Sequence, residues 1–227
     1  IRKGLKIMKN EDKDLFELLL SKKIFGLQND LKLIFVYASP AGSSYVKTRT
    51  ENVIDSVEKK ILRLGGTDSL IMGDLNGRTK LGDDFVRDRN DGHSPINHIS
   101  LYPKDNDIVH RKNLDRASVD QQGKRILELC KYSIFRILNG RTNGDKTGKF
   151  TRYPRNLSDN RSVIDYALSN VDLIPHIHSF SVLPYCGLSD HCCISTNICT
   201  NYFDINISVP PTVSSGTKKE TIEEYTK

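Results

Sequence analysis

The stretch Leu70-Ile71-Met72-Gly73-Asp74-Leu75-Asn76-Gly77-Arg78 breaks an apolar run at a glycine, then sets a carboxylate and a carboxamide two residues apart. Side chains alternate in direction along a strand, so Asp74 and Asn76 would share a face at its carboxyl end. That end is where open α/β sheets place their ligands. A carboxylate beside an amide can orient a water and steady a developing negative charge. Gly-Asp and Asn-Gly are also ordinary turn dipeptides, so the stretch alone admits a plain turn.

Two later stretches answer it. Ser162-Val163-Ile164-Asp165-Tyr166-Ala167-Leu168-Ser169 is a β-rich alternating run with one acid in its middle. Leu188-Ser189-Asp190-His191-Cys192-Cys193-Ile194 sets an acid beside a histidine at the mouth of another apolar run. An imidazole needs a partner that fixes its tautomer and stabilises its cation, and a carboxylate does both. Asp165 is the candidate partner for His191, which leaves Asp190 to face a metal or a group behind it. A solvated corner is the plainer alternative for Asp190-His191.

Gly-Asp-Leu-Asn, Ile-Asp-Tyr-x-Leu-Ser and Ser-Asp-His, in that order, resemble the endonuclease/exonuclease/phosphatase superfamily. Its members include deoxyribonuclease I, apurinic/apyrimidinic endonucleases, inositol polyphosphate phosphatases and neutral sphingomyelinases. Leu33-Ile34-Phe35-Val36-Tyr37-Ala38-Ser39-Pro40 is similar to the family's strand that ends in a tyrosine. The resemblance runs over roughly residues 5 to 198. Within the superfamily, Gln122-Gly123-Lys124-Arg125-Ile126-Leu127-Glu128-Leu129-Cys130, Arg136-Ile137-Leu138-Asn139-Gly140-Arg141 and Gly148-Lys149-Phe150-Thr151 are most like the endonuclease domains of non-LTR (LINE-like) retrotransposons.

The resemblance implies an α/β fold of two packed mixed β-sheets flanked by helices, the DNase I-like four-layer sandwich. It implies hydrolysis of a phosphodiester, namely nicking of DNA, by an activated water with Mg²⁺ or Mn²⁺. By that likeness Asp74 orients or deprotonates the water, and Asn76 holds the water or the phosphate. His191, steered by Asp165, contacts the phosphate. Tyr37 donates its hydroxyl to it, and Asp190 sits at the metal. Mg²⁺ prefers oxygen ligands and supplies charge neutralisation that an anionic phosphodiester needs. DNA is the expected partner, with a reverse transcriptase domain in the same polyprotein. An inactive DNA-binding remnant of such an element, or a phosphoinositide or sphingomyelin phosphoesterase of the same fold, is the alternative.

The sequence departs from that pattern at its beginning. Members start with a strand ending in asparagine, followed by a Gln-Glu motif whose glutamate is the main metal ligand, and neither is matched here. The chain opens at Ile1-Arg2-Lys3-Gly4, so the expectation is an amino-terminally truncated domain with its first strands missing. Glu17 lies within Asp14-Leu15-Phe16-Glu17-Leu18-Leu19-Leu20, a strand-like run that reads as solvent-facing at that position, and is unfit as a substitute.

The 227 residues fit one domain, 1–199, followed by a linker or disordered tail over 200–227 with Pro210-Pro211 and Ser214-Ser215-Gly216. No run of about 18 apolar residues is present to span a membrane. The opening lacks a signal-peptide stretch. Five cysteines fit no zinc-ligand spacing, so free thiols in a reducing compartment, nuclear or cytoplasmic and not secreted, are expected. The net charge of +6 suits a polyanion. Between Arg141 and Arg161 six basic residues stand against two acids, among the aromatics Phe150 and Tyr153. Arg78, Lys149, Arg152 and Arg155 are the candidate DNA contacts.

Periodicity predicts strands over 14–22, 31–37, 68–73, 134–138, 150–153, 163–168, 179–183 and 192–198. It predicts a turn over 26–30 and a helix from about Thr50 to Leu64 stopped by Gly65-Gly66. A second helix is predicted to start at a Ser118–Gln121 capping box. The long polar segment 77–116 is expected to be irregular. His93, His98, His110, His176 and His178 are expected at the surface or at sheet ends.

Overall fold

The computed structural model describes residues 5–8, 12–62, 67–86, 109–154 and 160–200. The predicted tail, Gly65-Gly66, His93 and His98 lie outside them. Six strands form one mixed sheet: β1 (Leu5–Met8), β2 (Leu15–Leu20), β3 (Leu31–Tyr37), β4 (Asp68–Asp74), β5 (Phe135–Ile137) and β6 (Asp165–Asn170). Their order is β1-β2-β3-β4-β6-β5. Among the described residues only the β3–β4 pair is parallel. The crossover between these two carries the helices α2 (Ser44–Thr48) and α3 (Val53–Leu62), as a parallel connection requires. A second sheet pairs β7 (Ile177–Val182) with β8 (Ile194–Ile198), antiparallel and two-stranded rather than mixed.

Two cores follow from the strand alternation. Ile34, Val36, Ile71, Tyr166 and Leu168 point to one face of the large sheet, under Val57 of α3 and Ile126 of α4 (Gln121–Tyr132). Leu31, Leu70 and Ala167 point to the other face and meet Phe180, Val182 and Cys192 of the β7–β8 layer. That layer covers only part of the face; Phe16 and Phe35, 6.1 Å apart, remain exposed beside it. No helix among the described residues is long and apolar enough to cross a membrane.

Several elements differ from the sequence expectation. Glu17 is buried, not solvent-facing, at 2% exposure. Glu17 shares the helix-covered face with Leu15 and stands opposite Ile34, so alternation carries its charge inward, where Lys32 and Lys60 both reach the carboxylate, Lys60 at 2.8 Å. Burial raises the Glu17 pKa, but the two ammonium groups outweigh it and hold the carboxyl below its ordinary value. The predicted turn at 26–30 is preceded by a one-turn helix, α1 (Lys22–Phe25), closed by Gly26 in the left-handed region. Helix α4 is capped by Asp120 rather than Ser118. Its carboxylate accepts from Gly123 N at 2.6 Å, and a charged cap complements the helix dipole better than a hydroxyl. Residues 150–153 form no strand. Arg152 makes only bridges, to Ser162 and His191, and Pro154 cannot continue the ladder.

Two glycines bring backbones to the site. An ideal Cβ on Gly73, whose φ is 144°, would lie 2.0 Å from the Val36 carbonyl oxygen. On Gly123 it would lie 2.0 Å from the Arg78 carbonyl oxygen. Asp120 also accepts from Arg78 N at 3.1 Å, so the start of α4 is fastened to the segment that leaves Asn76.

Candidate active site

The last rungs of three neighbouring strands carry functional side chains. Tyr37 stands opposite Asp74, and Asp74 opposite Asp165. Opposed residues share a face, so these three line the rim where the large sheet meets the β7–β8 layer. Asn76 follows the strand with φ 45°. This turn conformation, which asparagine tolerates, swings its side chain back onto the strand end. Nδ2 donates to Asp74 Oδ2 at 3.0 Å and to the Ala38 carbonyl at 2.7 Å. Asp74 Oδ1 accepts from Asn76 N at 3.0 Å.

His191 arrives from the segment entering β8. Its Nδ1 lies 3.0 Å from both Asp165 oxygens. A carboxylate accepts, so Nδ1 carries the proton and Nε2 faces Asp74 Oδ2 at 4.0 Å. The donor atoms of Asp74, Asp165 and His191 lie within 4.8 Å of one another, and the group could hold a metal ion. Burial, then the charge of Asp165, pushes the Asp74 carboxyl up to about 6. Burial also raises Asp165, against the Thr151 hydroxyl and His191, which favour its anion.

The other predicted residues fall around this group. Tyr37 is half exposed at its edge. Asp190 is not in it: its Oδ2 accepts from Arg152 Nε at 3.0 Å. Slight burial raises Asp190, and Arg152 with His191 outweighs that, holding it below the usual carboxylate range. Arg152, a predicted DNA contact, is therefore engaged by an acid, as is Arg78, whose Nη1 lies 2.7 and 2.9 Å from the Asp115 oxygens. Lys149 is exposed, and Arg155 lies outside the described residues. His110 packs against Phe85, His176 sits in a 3-10 helix and His178 in β7, all apart from the group.

The residues that hold the group in place lie within the quoted motifs, but sequence reading alone assigns them no role. Thr151 Oγ1 accepts from Ile164 N and Asp165 N, each at 3.0 Å. Asn139 clasps β6 on either side of Tyr166, donating to the Asp165 carbonyl at 3.0 Å and accepting from Ala167 N at 3.2 Å. The buried Tyr166 hydroxyl lies 2.8 Å from the Gly77 carbonyl and 2.6 Å from that of Val163, and accepts from Thr79 N at 3.3 Å. Burial pushes this phenol up. Buried polar residues between apolar neighbours were the available signal.

No family model and no curated protein matches the sequence. Among solved structures, the endonuclease domain of TRAS1, a telomere-specific non-LTR retrotransposon, superposes with a TM-score of 0.55 at 13% identity. The match covers 88% of this chain and 71% of that one. An AP endonuclease from Leishmania major superposes with a TM-score of 0.53 at 13% identity, covering 86% of this chain and 61% of that one. The protein has the endonuclease/exonuclease/phosphatase fold, the DNase I-like arrangement of mixed sheet, second sheet and flanking helices.

Proposed function

We propose that the protein hydrolyses phosphodiester bonds of DNA with Mg²⁺, or Mn²⁺, as the endonuclease domain of a LINE-like element. The observation that carries this reading is the convergence of Asp74, Asn76, Asp165 and His191 from sequence-distant segments on one sheet rim. The oxygen-rich donor set fits a hard cation, and the crowding of two carboxylates creates the demand for one. Asp74 and Asp165 would hold it. When bound, it supplies Lewis acidity and neutralises phosphate charge.

The residues divide the remaining work. Asp74 accepts the proton of the attacking water as the new P–O bond forms. Asn76 keeps that carboxylate aimed through its amide. His191, steered by Asp165, contacts the phosphate through Nε2 and steadies the charge that builds as the old P–O bond breaks, the leaving alcohol oxygen taking its proton from solvent. Tyr37 offers its hydroxyl to a phosphate oxygen. Arg78, Lys149, Arg152 and Arg155 attract the flanking backbone, with Asp190 holding Arg152 in place or joining the metal when DNA draws Arg152 away. A reverse transcriptase domain in the same polyprotein and a nuclear or cytoplasmic setting complete the reading.

Relaxation of supercoiled plasmid with Mg²⁺ tests it. The expected result is nicking that Asp74→Ala and His191→Ala each reduce by at least about a hundredfold. Plasmid left intact, or variants that nick like the parent, would overturn it. Salt-sensitive DNA binding without nicking would identify an inactive remnant. Release of phosphate or phosphocholine from lipid substrates would identify a phosphoesterase instead.

A further inference from the structure

A cavity of about 310 Å³ opens on the helix side of the same rim, with Asn76 as the wall it shares with the catalytic group. Its volume is at the lower end of small-molecule sites, about 300–1,000 Å³. Ala38, Ala41, Val46 and Val53 give it an apolar lining. Two guanidinium groups also line it, but both are already engaged. Arg49 is bound by Asp12 and Asp14, with Nε donating to the Glu51 carbonyl at 3.1 Å. Arg125 Nη1 lies 3.1 and 3.3 Å from the Asp55 oxygens. Glu51 in turn pairs with Lys59 at 2.5 Å. A phosphate entering here would meet carboxylates that hold the cations it needs.

What remains on offer is neutral. Asn52 Nδ2 donates to Gln122 Oε1 at 3.0 Å, which fixes the Gln122 carboxamide and leaves its amine as a donor. Gln121 adds a second carboxamide. Carboxamides bonding the edges of a flat heterocycle over an apolar floor are the chemistry by which proteins hold a nucleobase. A nucleotide joins such a heterocycle covalently to a phosphate, and Asn76 touches both places at once.

We propose that this cavity receives one unstacked nucleobase of the DNA strand whose phosphate is handled at Asp74 and His191. The assignment rests on the DNA-hydrolase reading and adds to it a contact that selects by base. It makes the strand pass over the rim at Asn76, with phosphate on the β7–β8 side and base on the helix side.

Two measurements test it on the full chain. In the first, duplex oligonucleotides carry 2-aminopurine at one position at a time and bind the Asp74→Asn variant, which is slow to cut. One position should brighten several-fold as its base leaves the stack. Val46→Phe, which fills the cavity, should reduce that gain at least fivefold with an unchanged far-UV circular dichroism spectrum. In the second, free adenosine and cytidine are titrated against methyl resonances. Saturable shifts are expected at Ala41, Val46 and Val53. If no 2-aminopurine position responds while DNA is bound, or if Val46→Phe leaves the response intact, the proposal is overturned. Nucleoside shifts at these methyls in a protein that nicks no DNA would keep the cavity's ligand and remove the hydrolytic reading. Absent shifts beside active nicking would do the reverse.

Discussion

His191 Nδ1 lies equidistant, at 3.0 Å, from the two carboxylate oxygens of Asp165. A symmetric acceptor of this kind fixes both the tautomer and the ring plane. It does so from β6, a strand with buried neighbours on either side, so the ring is aimed by the sheet rather than by its own loop.

Asp165→Asn is nearly isosteric but replaces one of the two acceptor oxygens facing Nδ1–H with a donating amide NH₂ and removes the carboxylate charge. The ring then turns or adopts the other tautomer. Nicking should fall by on the order of 10³- to 10⁴-fold in kcat, with KM changed only a few-fold. Steady-state kinetics on a nicked-oligonucleotide assay reads this directly. An equal loss in KM alone would show that Asp165 serves binding.

The Asp74 carboxyl, pushed up to about 6 by burial and by Asp165, sets a pH dependence of opposite sign for activity and stability. As a proton acceptor it works only when ionised, so nicking should fall about tenfold per pH unit once the carboxyl protonates, at a pH that bound Mg²⁺ moves below the metal-free value. Its folded-state value lies above the ordinary 3.8, so the folded form binds the proton more tightly. That contribution to stability is complete below about 3.8 and is lost as pH rises through 6. Asp74→Asn should therefore raise the denaturation midpoint of the metal-free protein at pH 7.5 and flatten its change between pH 5 and 7. Urea titrations at the two pH values measure it.

Gly73→Ala should be among the most damaging single-methyl changes in the chain. The added carbon would meet the Val36 carbonyl oxygen at 2.0 Å, in a backbone conformation that L residues rarely adopt. Either β4 parts from β3 or the strand end shifts. A loss of roughly 2–4 kcal/mol is expected, together with loss of nicking in whatever fraction still folds. Equilibrium denaturation supplies the first number, and activity per folded molecule supplies the second.

Tyr166→Phe removes one buried hydroxyl and leaves Thr79 N–H and the Gly77 carbonyl without it. The cost should be about 1–3 kcal/mol. The Gly77–Thr79 segment follows Asn76, so kcat should fall with it, more than a change at the surface would bring. An unaltered kcat would mean that Asn76 is held by Asp74 and Ala38 alone.

The large sheet was legible because its strands are amphipathic or wholly apolar, and the motif ends of β4 and β6 carry unusual acids. Asp74, Asp165 and His191 could be paired from their sequence context, since a histidine of this kind needs a carboxylate. Asp190 could not be separated from them by sequence, because the competing partner, Arg152, is distant in the chain. Glu17 misled for the same reason: the lysines that permit its burial come from β3 and α3. Residues 150–153 alternate like a strand, yet their backbone is shared between Ser162 and the segment at His191–Cys192, an arrangement that depends on the fold around them.

The adjoining final rungs occupied by Tyr37, Asp74 and Asp165 bear on how such a protein can change over generations. A single residue inserted or deleted within β4 or β6 would turn one acid to the opposite surface and abolish the chemistry at once. Connections outside the stretches that carry Asn76, Asn139, Thr151 and His191 have no such phase requirement and are free to lengthen, shorten or drift. On the proposed DNA-hydrolase reading, target preference can be rewritten in those freer connections while the chemistry at the rim is inherited intact, and libraries built to redirect the protein belong there rather than in the ladder.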